Sequence, residues 1–213
     1  MTRIAVIGGT GYAGRHIVVE AVRRGHDVVA VSRKIPAERI EGATHIEGTI
    51  LDVPGLLHEL QGVDAIVTAI APRGDMADAA VPGVLELAEN LAGTGIRLGV
   101  IGGAGSSLSA PEGPRLMELD FPEEYLFEAQ TGLDSLEGLR ATPASVDWFL
   151  VHPAETFGAW NPGERTGAYR DGGQVVVRDA DGVSNISGPD LGVAVVDEIE
   201  SPQHRRENFT VGY

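Results

Sequence analysis

The chain has no cysteine, which excludes disulfides and thiolate chemistry alike. Lysine is nearly as scarce, with Lys34 as its sole representative. No apolar run approaches the roughly 18 residues that suggest a membrane-spanning helix. Basic side chains are outnumbered by acidic ones, 16 against 31, for a formal net charge of -15. A field of that sign opposes nucleic acid and anionic membranes, so an anionic ligand must rely on local amides and arginines. The expected partner is therefore a small molecule, with neither nucleic acid nor membrane. Met1-Thr2-Arg3 passes directly into strand residues and leaves no room for a signal peptide, so the cytoplasm is the expected compartment.

At 213 residues, with 43% hydrophobic residues, the chain suits one domain over 1–213. It opens with the short apolar run Ile4-Ala5-Val6-Ile7, which breaks into Gly8-Gly9-Thr10-Gly11-Tyr12-Ala13-Gly14. Ile17, Val18, Ala21 and Val22 then recur on one helical face until Gly25 stops the helix, and a second strand, Val28 to Val31, follows. Gly-x-x-Gly-x-x-Gly between a strand and a helix meets the needs of a dinucleotide pyrophosphate. Small residues admit close approach of the backbone, while free amides and the helix dipole face the charge. Gly8, Thr10, Gly11, Tyr12 and Gly14 are the expected pyrophosphate turn. Arg15 sits at the wrong end of the macrodipole for a cation, which a bound anion explains.

The second strand ends in Ser32-Arg33-Lys34. An acid at that point accepts hydrogen bonds from ribose and repels a 2′-phosphate, whereas arginine binds the phosphate and stacks on adenine. NADP(H) is therefore expected in preference to NAD(H), with Ser32 and Arg33 at the adenosine end. Further strands are expected at 43–47, 63–69, 96–101 and 146–151, with helices after Pro54, over 77–92 and from Pro122 to about Leu139. This alternation predicts an α/β fold of Rossmann type: a doubly wound parallel sheet whose ligand crevice lies at the carboxyl ends of its strands. Ala69, Ile70 and Ala71, and then Gly102, Gly103 and Pro153, leave strands at that edge and are expected to line the coenzyme. The turn Gly102 to Ser107 can position a hydroxyl, and His152, at the end of the sixth strand, can donate a proton.

The loop from Phe157 to Arg170 should face the nicotinamide, and its aromatics and arginine suit a planar, phosphate-bearing partner such as a flavin. Val175-Val176-Val177 and Val183 to Ile186 flank Asp179-Ala180-Asp181-Gly182, so a small C-terminal hairpin is expected there. A last helix, Leu191 to Ile199, and an edge strand, Asn208 to Tyr213, complete the chain. The histidines lack ligand spacing, and no metal site is expected.

Taken together, the chain resembles an atypical short-chain dehydrogenase/reductase, similar to the Rrf2-linked NADH-flavin reductase, biliverdin reductase B and NmrA-like group. The resemblance rests on Gly8 to Gly14, Gly102-Gly103-Ala104-Gly105-Ser106, Pro162 to Arg170 and Ile186-Ser187-Gly188-Pro189-Asp190-Leu191. It implies NAD(P)H binding, Thr49 and Ile50 beside the adenine, a serine of the Ser106 turn in the active site, and reduction of free flavin (FMN or FAD) or another conjugated acceptor. One part of the superfamily pattern is missing. In its Tyr-x-x-x-Lys pair, lysine lowers the tyrosine pKa for proton exchange, but Tyr125 is followed at that spacing by Ala129.

A flavin accepts hydride while water supplies any later proton, so the missing pair is no obstacle to an NADPH-dependent flavin reductase. Ser106, His152 and Arg165 are then expected to orient or protonate the acceptor. A nucleotide sensor of NmrA type, binding NADP(H) without turnover, fits the same residues. An epimerase or dehydratase would need an internal acid and base. The sequence leaves oligomeric state open.

Overall fold

A computed structural model describes the whole chain, Met1–Tyr213. β1 (Arg3–Ile7) lies inside the sheet because it is apolar on both faces. Ile4 and Val6 point into one helical layer, Ala5 and Ile7 into the other. β2 (Asp27–Ser32), β3 (Ala43–Glu47), β4 (Ala65–Thr68), β5 (Arg97–Ile101) and β6 (Trp148–His152) extend it in parallel. β7 (Arg170–Asp171) and β8 (Glu207–Gly212) follow, and the order across the sheet is β3-β2-β1-β4-β5-β6-β8-β7. The order turns back between β1 and β4, the point at which a doubly wound sheet opens its crevice.

α1 (Tyr12–Arg23) covers one face, α2 (Val53–Glu59), α3 (Ala80–Asn90) and α4 (Glu123–Ala141) cover the other, and α5 (Gly188–Glu200) joins α1. On the α1 side Ile17, Val18 and Ala21 meet Leu191, Ala194 and Val195 over Ile4, Val6 and Phe149. On the opposite side Leu56, Leu87 and Leu136 pack over Ala5, Ile66, Trp148 and Leu150. Each fully buried aliphatic side chain contributes about 1.5–3 kcal/mol, so these two layers dominate stability. Helix starts follow local chemistry: Asp52 accepts from the Gly55 N–H at α2, and Ser187 accepts from the Asp190 N–H at α5. No helix is long and apolar enough to cross a membrane.

Two expectations about the C-terminal third are corrected. The valine segment forms no hairpin, because its main-chain groups bond elsewhere. Leu108 donates to Gln174 O and accepts from Val176 N–H, while Ser184 O and Asn185 O accept from Thr156 and Tyr213. Only the Asp179 to Val183 turn closes on itself. Nor is β8 an edge strand: it lies parallel to β6, and the edge passes to β7, which runs antiparallel to it.

Candidate functional site

The β1–α1 turn is close-packed at its glycines. Gly8 adopts a φ of 81°. A Cβ on Gly14 would lie 2.2 Å from the Gly8 carbonyl oxygen, so a side chain there would drive α1 off the turn. The N–H groups of Gly8, Gly9 and Gly11 are spent on Val31 O, Val6 O and Gly8 O, whereas those of Thr10, Tyr12, Ala13 and Gly14 donate to nothing in the protein. α1 has no acidic residue in its first turn. Open amides at the positive end of a helix suit a diphosphate, and the missing Cβ atoms let the turn close tightly enough to present them. Arg15 lies exposed beside them without a carboxylate partner.

Cations elsewhere are mostly bound. Arg24 pairs with Glu20, Asp197 and Glu200, Arg97 with Glu198, and Arg206 donates to the carbonyls of Thr142, Pro143 and Val146. Besides Arg15, only Lys34 and Arg39 have side chains free of any partner, and both follow β2. Arg33 adds a third cation there, held only loosely by Asp75 at 3.6 Å with both side chains largely exposed. Such a pair is worth at most about 1 kcal/mol and yields readily to a stronger anion.

The rest of the adenosine end is mixed. Ser32 is buried and its hydroxyl donates to Lys34 O, shaping the turn. Thr49 is half-buried at the rim. Ile50 is not at the rim. It is packed against Gly83 of α3, where a Cβ would come within 2.8 Å of Ile50 Cγ1, and its side chain belongs to the core. Ala69, Ile70 and Ala71 leave β4 beside Gly8, partly or fully exposed.

At the ends of β5 and β6, Gly102 and Gly103 are half-buried and Pro153 is buried. Ser106 and His152 are brought together, with Ser106 Oγ 3.4 Å from His152 Nδ1, but both side chains are 0% exposed. His152 Nδ1 donates to Gly103 O at 2.9 Å, and Nε2 lies 3.2 Å from Asn208 Nδ2, from which it accepts. Burial pushes the imidazole down to about 4, with Arg115 and Arg140 adding to the shift. A neutral ring bonded at both nitrogens and sealed from the crevice has no proton to deliver. The expectation that Ser106 and His152 orient or protonate an acceptor is corrected: they hold the β5 turn to β6 and β8. Ser107 Oγ is buried without a partner.

Arg165 is also corrected. Its guanidinium takes both oxygens of Glu20 at 3.0 and 3.1 Å. Glu20, whose side chain is 3% exposed, also binds Arg23 and Arg24, and these arginines hold its carboxyl far below the ordinary range against the opposing effect of burial. Glu20 lies eight residues beyond Tyr12 on α1, about 12 Å along the axis. Arg165 therefore staples the loop to the side of α1 and faces no acceptor.

The same loop is tied down again where two of the motifs that carry the resemblance meet. Asp190, buried in the first turn of α5, accepts from Thr166 N–H and Oγ1, from Gly167 N–H and from Tyr213 OH at 2.6 Å. Tyr12 completes the seat: its ring packs on Phe157 with centroids 5.2 Å apart and its hydroxyl donates to Pro162 O at 3.3 Å. Asn208 and Glu20 carry no local signal of these roles, and Asp190 is visible only as one letter of a motif, since each role is defined by what lies around the residue in space.

Comparison with known proteins agrees with this geometry. A family profile described as NAD(P)H-binding matches residues 8–202. The chain is 35% identical over 217 aligned residues to the uncharacterized protein YwnB of Bacillus subtilis, covering 98% of this chain and 97% of that protein. Among solved structures, a candidate NADH-flavin reductase from Streptococcus pneumoniae superposes with a TM-score of 0.86 at 32% identity, over 100% of this chain and 99% of the other. A candidate epimerase from Bacteroides thetaiotaomicron gives 0.86 at 30% identity, over 100% and 97%. The profile match begins at Gly8, where the open turn begins, and continues into the turn before β8. The chain thus belongs to the NAD(P)H-binding family.

Proposed function

We infer that the protein is an NADPH-dependent reductase that passes hydride to a free flavin or a similar conjugated acceptor. The observation that carries this reading is the acceptor end itself: Ser106 and His152 are sealed beneath it, and Tyr125 has Ala129 where the relay lysine would stand. Such a site serves poorly an acceptor that must take a proton from the protein. It serves well a ring that takes its proton from water.

In this reading the open N–H groups of Thr10, Tyr12, Ala13 and Gly14 hold the pyrophosphate, with Gly8 and Gly11 keeping the backbone close and Arg15 supplying charge. Arg33, Lys34 and Arg39 receive the 2′-phosphate, which supports NADP(H) over NAD(H). Thr49 and Ala69 to Ala71 flank the adenosine half, and Gly102, Gly103 and Pro153 flank the nicotinamide half. When bound, the reduced coenzyme supplies the hydride. The protein orients the two rings and excludes water, which is catalysis by proximity. A cytoplasmic setting goes with this reading.

Mixing the protein with NADPH and FMN tests it. Nicotinamide absorbance should fall much faster than in the protein-free mixture. Tight NADPH binding with an unchanged rate would overturn catalysis and leave a nucleotide sensor. That second reading draws support from Leu119, Tyr125, Leu126 and Phe127, an exposed apolar group around the start of α4 that suits a protein partner. Epimerase chemistry, the activity in the Bacteroides protein's description, draws no support from Tyr125.

A further inference from the structure

Trp160 is 71% exposed, the most open of the chain's large hydrophobic side chains apart from Met1. Its backbone is nevertheless fixed on both sides. Asn161 N–H donates to Gly158 O, and Asn161 Nδ2 donates to Thr156 O and to Asn185 Oδ1, both at 2.8 Å. Phe157 on one side rests on the Tyr12 ring, and Pro162 on the other accepts from the Tyr12 hydroxyl. The indole folds back over Gly158, where a Cβ would lie 2.4 Å from Trp160 Nε1. An aromatic plane on an anchored backbone is thus left bare, within the segment whose Phe157 and Pro162 meet Tyr12 at the start of α1. Indoles are normally largely covered, and one left open on an anchored backbone offers a stacking surface.

Charge around this loop points the same way. Arg165 is neutralised by Glu20, Arg170 donates to Arg178 O and Tyr213 O, and Arg178 pairs with Glu155. The partner-free cations, Arg15, Lys34 and Arg39, lie on α1 and in the β2–β3 connection and not on this loop. No free cation on the Trp160 loop remains for a second phosphate.

Building on the reductase reading, we propose that Trp160 is the stacking platform for the acceptor, and that the acceptor is recognised by its fused isoalloxazine ring and not by a phosphate tail. Riboflavin and FMN then bind alike.

The test titrates each flavin into the protein saturated with NADP+, which permits binding without turnover, and follows flavin fluorescence alongside equilibrium dialysis. In the native protein both flavins should be quenched by contact with the indole, with dissociation constants within about threefold of each other. Trp160→Leu should lose most of the quenching and weaken binding roughly tenfold, the usual scale for losing one aromatic stacking partner. Trp160→Phe should recover much of the affinity, and NADP+ binding should stay unchanged throughout. Equal flavin binding and quenching by native protein and Trp160→Leu would overturn the platform while leaving the reductase reading standing. FMN binding more than tenfold tighter than riboflavin would overturn ring-only recognition. Failure of the native complex to bind either flavin would overturn the platform and the flavin assignment together.

Discussion

At the scale of single residues, the contrast between Arg33 and His152 is instructive, because both stand at strand ends and only one is open to a ligand. Arg33 is exposed and loosely held by Asp75. Replacing it with alanine should remove a charge-assisted contact to a 2′-phosphate, worth about 1.5–3 kcal/mol. Calorimetric titration should then show NADPH binding about tenfold or more weaker and NADH binding weakened much less; a preference that survives the substitution would refute the assignment. His152 is a structural base, neutral because it is buried. Its pKa falls from 6.5 to about 4 on folding, so between those values the unfolded chain binds the proton and the native one does not. Its contribution is complete above about pH 6.5 and is lost as pH falls toward 4, a change of about 3 kcal/mol. His16, also lowered by burial, adds to the same slope. Urea unfolding of the native protein and of His152→Gln at pH 7 and pH 4.5 should show the variant losing less stability on acidification.

At the scale of elements, the loop between β6 and β7 behaves as a clamped arm. Asp190 holds it through Thr166 and Gly167, and the same carboxylate takes the Tyr213 hydroxyl, tying the loop, α5 and the chain end into one joint. Asp190→Ala would remove the buried acceptor that gathers these donors, which water can still reach at the exposed Thr166 and Gly167 and the half-buried Tyr213, and should cost about 1.5–3 kcal/mol. A drop in the urea midpoint at constant slope, with faster tryptic cutting after Arg165, is the expected result; cutting at the native rate would mean the arm is held elsewhere. The two motifs Pro162 to Arg170 and Ile186 to Leu191 are legible in the sequence as separate strings. Their union in one hydrogen-bonded joint is not, because the partners are 23 or 24 positions apart and neither motif is complete alone.

At the scale of the whole molecule, the surplus of acidic residues is a stability cost. With a net charge of -15 the folded state repels itself, and added salt screens that repulsion. The melting temperature should therefore rise by a few degrees between 0.05 and 0.5 M sodium chloride, as seen by scanning calorimetry; a fall would show that ion pairs such as those around Glu20 and Arg24 outweigh the net repulsion. Of the free cations, Arg15 lies in the first turn of α1 and Lys34 directly after β2, so the positive charge at the open turn is local, on a molecule that is acidic as a whole.

The sequence by itself determined the doubly wound parallel sheet, the position of the crevice and the open amide turn from Gly8 to Gly14, because these follow from periodicity and from the absence of Cβ atoms at set positions, which are local properties of the chain. It did not determine which polar side chains reach the crevice. Arg165 turns away to a carboxylate 145 positions distant, and His152 is sealed by Gly103 and Asn208. Likewise the valine segment gives its hydrogen bonds to Leu108 and not to its own hairpin partner. Those choices rest on competition among partners that only folding brings together, and the tertiary structure alone decided them.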